Sequence, residues 1–249
     1  MIGNFKELNY TNVKNVVNTG APILPWGSIE PHGEHLPYLT DSILAEAIAN
    51  AVSSRAIEKT HRFFPVLPTL SMGSQNPSQL EYPFCIHFNT ETQKSVLENI
   101  VESLERQGFR QLFIINGHNG NTLKGIVRDV MSKHDKFQIF ISDYLNVVEQ
   151  IKKIDNKLVC YELDDHAAYT ETSLMLHVHP ELVHLENLAE DVYVGQPNEG
   201  YFWTPRNWLM CSSNTRVGTV GMASGDAGKI MFDYVVNALS DEIIEKTHG

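Results

Sequence analysis

Between Leu24 and Asp41 the chain reads LPWGSIEPHGEHLPYLTD, which gathers Glu30, His32, Glu34, His35 and Asp41 into one short stretch. Imidazole nitrogen and carboxylate oxygen are ligands that zinc, manganese and iron accept, and a catalytic site for such metals keeps one position open for water. Glu30-x-His32 offers two ligands in a tight turn, and His118 stands in a second polar turn, NGHNGN at 116–121. A carboxylate has two oxygens, so Asp41 can bridge two metals about 3.5–4 Å apart, the separation typical of two-metal hydrolytic sites. A charged, solvated turn without metal accounts for the same spacing. Two flanking features weigh against it: the cluster follows the apolar run APILP at 21–25, and His118 follows the apolar run LFII at 112–115.

Those runs belong to a wider alternation. Ile43, Leu44, Ala47, Ile48, Ala51 and Val52 fall at helical spacing behind an Asp41-Ser42 pair suited to capping. Residues 63–70 read as a strand with prolines at irregular ends, followed by the polar loop SMGSQNPSQLEYP. A helical stripe through Val96, Leu97, Ile100, Val101 and Leu104 stops at Gly108, and LFII then reads as a buried parallel strand. A helix over 122–133, a strand over 137–142 and a helix over 144–154 continue the rhythm. A helix carrying Leu174, Met175 and Val178 and a closing helix over 226–246 complete it. The alternation predicts an α/β fold with a mostly parallel central sheet flanked by helices on both faces. Loops at the carboxyl ends of such strands form the ligand crevice, where both polar turns would meet. Residues 187–225, rich in Gly, Pro, Asn and aromatics, read as a long loop or lid.

Composition narrows the partners. A chain of 249 residues with 42% hydrophobic and 20% charged side chains, and no linker, is expected to form a single domain over 1–249. A net charge of −11 and the absence of a basic run argue against nucleic acid or an anionic membrane as partner. Cys85, Cys160 and Cys211 are odd in number and unpaired in spacing, which reads as packing residues in a reducing compartment. No stretch reaches the ~18 apolar residues of a membrane span, and the N-terminus has no signal-like apolar run, so the cytoplasm is the expected location.

LPWGSIEPHGEHLPYLTD resembles the signature of the creatininase (creatinine amidohydrolase) family. NGHNGN resembles that family's Asn-Gly-His turn, HAAYTETSLML its His-Ala-x-x-x-Glu-Thr-Ser-Leu-Met segment, and VGTVGMASGDAGK its entry to the last helix. The resemblance implies two divalent metal ions, zinc first, with manganese or iron as alternatives. It implies that Glu30, Asp41 and His118 hold one ion, that His32 and the bridging Asp41 hold the other, and that His166 is the proton shuttle. The family's further carboxylate lies two residues after the turn histidine, where this chain has Gly120, so Glu171 is taken as its substitute; a plain helix-N-terminal carboxylate is the competing reading. His35 is expected to shape the loop, and His177 and His179 receive no role.

The reaction implied is metal-dependent hydrolysis of a non-peptide C–N bond, in a cyclic amide or a formamide, by metal-activated water, with His166 protonating the departing nitrogen. The alternatives are a peptidase acting on a short peptide end and a non-catalytic metal-binding assembly module. Creatinine itself is disfavoured: the family's namesake closes over it with tryptophans before the catalytic histidine, and 145–165 here contains none. Trp203 and Trp208, in YFWTPRNW, could instead stack on a flat substrate, and a buried packing or subunit-contact role accounts for them equally well. Pro31, where the family often has Gln, changes the loop's hydrogen bonding without removing a ligand. The resemblance also implies a homo-oligomer, a hexamer in many members, acting on a small-molecule amide.

Overall fold

Apolar residues that alternate along short strands bury both faces of a sheet, and this chain does so with three parallel strands in the order β1–β2–β3: β1 (Ile23–Trp26), β2 (Gln111–Asn116) and β3 (Gln138–Asp143). The computed structural model describes residues 5, 8–14, 20–189, 204–205, 212 and 214–247. Ile23, Phe113 and Ile115 point into one core, packed by α2 (Thr40–Thr60), α5 (Tyr144–Ile154), α6 (Tyr169–Val178) and α7 (Gly225–Thr247). Leu24, Trp26, Leu112, Ile114 and Ile139 point into the other, packed by α3 (Thr90–Arg106) and α4 (Leu123–Met131). Helices therefore cover both faces, as the alternation predicts. Fully buried side chains such as Ile23 and Ile114 each contribute roughly 1.5–3 kcal/mol by leaving water.

The register sets where the loops emerge. Trp26 pairs with Asn116, and Asn116 with Asp143, so the three strands end level at their carboxyl edge. The chain leaves β1 toward Glu30, β2 toward His118 and β3 into Tyr144, all at that edge. A small antiparallel pair, β4 (Asp164–His166) with β5 (Val217–Gly218), lies apart from the main sheet and leads directly into α6. A four-residue helix, α1 (Tyr10–Val13), precedes β1.

Residues 63–70 are not a strand: Val66 and Leu70 make isolated parallel bridges to Ile23 and Trp26, because Pro65 and Pro68 lack the N–H groups a continuous ladder needs. Asp41 does not cap α2; the capping position is Leu39, without a side-chain bond, and Asp41 lies in the first turn with its carboxylate engaged elsewhere. Cys160 is exposed, its thiol donating to the Lys152 carbonyl at 3.1 Å, so it is not a packing residue; Cys85 is half-buried, and Cys211 lies outside the described residues. Most of the lid candidate, with Trp203 and Trp208, also lies outside them. No helix among the described residues is long and apolar enough to cross a membrane.

Candidate metal centre

Two loops and two helix starts converge at the carboxyl edge of the sheet. The Gly117 N–H donates to the Trp26 carbonyl at 2.8 Å, which holds the His118 turn beside the Glu30 loop. A Cβ on Gly117 would sit 2.4 Å from the Asp41 carbonyl oxygen, so glycine is what lets the start of α2 come this close. Glu30, His32, Asp41, His118 and Glu171 are all buried.

Their side chains fall into two groups that share Asp41. On one side His118 Nδ1 lies 2.7 Å from Glu30 Oε1 and 3.1 Å from Asp41 Oδ2. On the other His32 Nε2 lies 2.9 Å from Asp41 Oδ1 and 3.9 Å from Glu171 Oε2. In each set, one ligating atom per residue lies within 4.8 Å of the others, and Glu30, His32 and His166 form a third such set.

The far nitrogen of each imidazole is fixed. His118 Nε2 meets the Ser74 carbonyl at 2.8 Å and His32 Nδ1 meets the Glu30 carbonyl at 3.0 Å. A carbonyl only accepts, so both of these nitrogens carry hydrogen, and in the neutral ring the near nitrogen turns a lone pair toward the carboxylates. That contact needs a proton or a metal ion between donor atoms. The same orientation of a histidine by its second nitrogen is a general feature of metal sites. The donor set of two imidazoles and three carboxylates therefore fits two divalent ions.

Without metal, protons fill the role. Burial opposes charge on His32, yet the adjoining Asp41 carboxylate outweighs it and raises the imidazole to about 10. Against the same burial, Glu30 and Asp41 push His118 well above the usual histidine value, while His118 lowers Glu30 and His32 holds Asp41 well below the carboxylate range. Glu171 is raised by burial.

Glu171, in the first turn of α6, also accepts the Ala167 N–H at 2.6 Å on Oε2, the same oxygen that lies 3.9 Å from His32 Nε2, so the helix-terminal reading and the His32 group describe one and the same oxygen. His166 lines the cavity, with its Nε2 donating to the Pro31 carbonyl at 2.9 Å and its ring 4.2 Å from that of His32. Pro31 thus keeps the group this contact uses, the carbonyl. His35 Nε2 bonds the Thr172 hydroxyl at 2.8 Å, tying the loop to α6. Glu34 accepts from the Asn214 side-chain amide at 3.5 Å; His177 packs on Phe232 and His179 pairs with Glu181. Trp26 is a core residue, its indole donating to the Met72 carbonyl.

A cavity of about 210 Å³ opens over the group, lined by Glu30, Asp41, His118, His166 and Glu171 together with Asn76, Gln79, Asp165, Thr204 and Pro205 among others. Three contributors are absent from the sequence reading. The Ser28 hydroxyl lies 2.5 Å from Asp41 Oδ2, Gln79 Nε2 donates to Glu30 Oε2 at 2.7 Å, and Ser74 supplies its main-chain carbonyl. Gln79 had a signal: Asn76-Pro77-x-Gln79 starts a short 3-10 turn at Pro77–Glu81, within the polar loop after the prolines. Ser74 acts through its backbone and has none.

The family profile described as creatininase, creatinine amidohydrolase, matches residues 6–243. Over 248 residues the chain is 24% identical to a creatinine amidohydrolase of Pseudomonas putida, covering 90% of this chain and 88% of that one. It is 28% identical over 191 residues to a mycofactocin precursor peptide peptidase of Mycobacterium ulcerans, covering 74% and 68%. A crystal structure from Bacteroides fragilis, provisionally named a creatinine amidohydrolase, is 36% identical with a TM-score of 0.88, covering 97% and 95%. A mutant creatininase of Zn-Zn type (22%, TM-score 0.79, 99% and 98%) and a creatininase with Mn (21%, TM-score 0.80, 99% and 99%) share the fold.

Proposed function

The chain belongs to the creatininase family of metal-dependent amidohydrolases, and from that premise we propose that it hydrolyses a non-peptide C–N bond, in a cyclic amide or a formamide, at a two-metal site. The observation that carries this reading is the division of Asp41, whose Oδ2 faces His118 and Oδ1 faces His32, as a bridging carboxylate must. Glu30, Asp41 and His118 would hold one ion and His32, Asp41 and Glu171 the other. Zinc is the first choice and manganese the second, in line with the ions named for the creatininase structures; iron suits the same donors.

When bound, two such ions polarise an amide carbonyl and lower the pKa of water. The chain's own residues do the rest. Ser28 and Gln79 hold the Asp41 and Glu30 carboxylates in place, and the Ser74 and Glu30 carbonyls fix the two imidazoles. His166, on the cavity wall, passes a proton to the departing nitrogen, the general-acid role an imidazole can fill. The Asn76 and Gln79 turn and the Thr204-Pro205 segment bound the cavity and limit what enters. Creatinine is not the proposed substrate, because 145–165 lacks tryptophan. A homo-oligomer, hexameric by family resemblance, in the cytoplasm, completes the proposal.

The likeness to a peptide peptidase supports a second reading, removal of a short peptide end. Turnover of the metal-loaded protein on a panel of cyclic amides and formamides beside short peptides separates the two. The proposal expects hydrolysis of a cyclic amide or formamide that is lost in His166→Asn with bound metal retained. Cleavage confined to peptides would establish the second reading, and no turnover on either would point to a binding module.

A further inference from the structure

Beside the candidate metal centre, a buried cation ties three elements together. Lys152, on α5, is 4% exposed, and its ammonium donates to Asp164 Oδ2 and to Glu149 Oε1, each at 2.7 Å. It also lies 3.4 Å from the Thr170 hydroxyl. Asp164, the first residue of β4, accepts the Thr170 N–H at 3.0 Å on one oxygen and the Thr170 hydroxyl at 2.6 Å on the other. Lys152 thereby joins α5 to β4 and to the first turn of α6.

The position of this clamp matters. Asp164 stands two residues before His166, and Thr170 stands one before Glu171. Between them the chain turns a tight corner: β4 shifts register against β5, and Ala167 takes a φ of 50°, an uncommon conformation for a residue with a side chain. The Ala167 N–H is the group that Glu171 Oε2 accepts. One carboxylate therefore grips both arms of the corner that delivers two of the site's side chains.

Energetics give the clamp a purpose beyond holding the fold. Burying an ammonium carries a desolvation cost that its partners only offset, and an apolar pair of similar volume is commonly as stable or more so. What the apolar pair lacks is direction: the ammonium and the carboxylate fix the corner through oriented bonds. We propose that Lys152 and Asp164 are positioning residues that set Glu171 at its distance from His32, and so set the affinity for the metal ion in the His32, Asp41 and Glu171 half of the site without touching it. The inference rests on the two-metal reading above.

The test is competition of Zn²⁺ between a chelator and the full-length protein, in wild type, Lys152→Met, Asp164→Asn and the double variant Lys152→Met/Asp164→Leu, with thermal unfolding measured alongside. In wild type, two ions bound would uphold the two-metal reading, and fewer would remove it and this inference with it. Each single variant is expected to keep one ion at wild-type affinity and to bind the other about 10- to 100-fold more weakly, the usual cost of losing an outer partner. The double variant is expected to recover thermal stability without recovering that affinity. Unchanged affinity in the folded single variants, or recovery of affinity together with stability, would overturn the clamp while leaving the two-metal reading intact. If the single variants do not fold, Thr170→Val, which removes only the hydroxyl, should weaken the same ion to a smaller degree; no weakening there would also overturn it.

Discussion

His118 Nε2 donates to the main-chain carbonyl of Ser74 at 2.8 Å, and this bond occupies the space that a side chain at residue 120 would need. A Cβ built on Gly120 lies 2.4 Å from His118 Nε2 and 2.5 Å from the Ser74 oxygen. The resemblance to creatininase implies a carboxylate at that position. Here the Ser74 main-chain oxygen lies where such a side chain would start, and Glu171, on α6, lies 3.9 Å from His32.

Restoring the family residue should therefore harm the site. Gly120→Glu is expected to displace the Ser74 carbonyl, free the His118 ring and lower the metal content, with little loss of helical structure. Metal analysis and circular dichroism on the variant check this. Full metal content in a folded Gly120→Glu protein would mean that the His118 anchor is dispensable.

Metal affinity should rise with pH. His32 is raised to about 10 and His118 is raised as well, so near neutrality both near nitrogens carry protons that a metal ion must displace. Below an imidazole's pKa each displaced proton makes binding more favourable by about tenfold per pH unit, and each ion displaces one, so the affinity for each ion should climb by about one power of ten for each unit from about pH 6 to about pH 8. Chelator competition across that range measures the slope. A flat profile would place the protons elsewhere.

His35 behaves in the opposite sense. Burial, with Arg216 and His32 nearby, pushes it down to about 4 from an ordinary 6.5. Between those values the unfolded chain takes up a proton that the folded chain refuses, so stability falls as the solution is acidified through that window. Replacing the ring removes the difference. His35→Asn is expected to lose less stability than wild type between about pH 7 and about pH 5 in urea unfolding; parallel losses would show that His35 does not titrate differently in the two states.

Much of the centre was legible because its donors sit on local patterns. Glu30, His32 and Asp41 follow one apolar strand and His118 another, and the strand-end rule alone brings them to one edge. Glu171 was reachable only through the family resemblance, since nothing in TETSLML says which helix face meets His32. Ser74 and Lys152 were hidden for a different reason: one acts through its main chain, and the other is a lysine whose burial depends on Asp164, twelve positions away. The strand expected over 63–70 failed on local chemistry the sequence did contain, two prolines within six residues of apolar pattern. The Lys94–Asp129 pair, which joins α3 to α4, and the Lys133–Glu98 pair, which joins the turn after α4 to α3, are exposed and add little by comparison.

The central claim is a pair of metal ions that share Asp41. Elemental analysis of protein purified without added metal or chelator, for wild type, Glu30→Gln, Glu171→Gln and Asp41→Asn, addresses it most directly. About two ions per chain are expected in wild type, about one in each glutamate variant and close to none in Asp41→Asn. One ion or fewer in wild type, or an Asp41→Asn protein that loses no more than the glutamate variants, would contradict it.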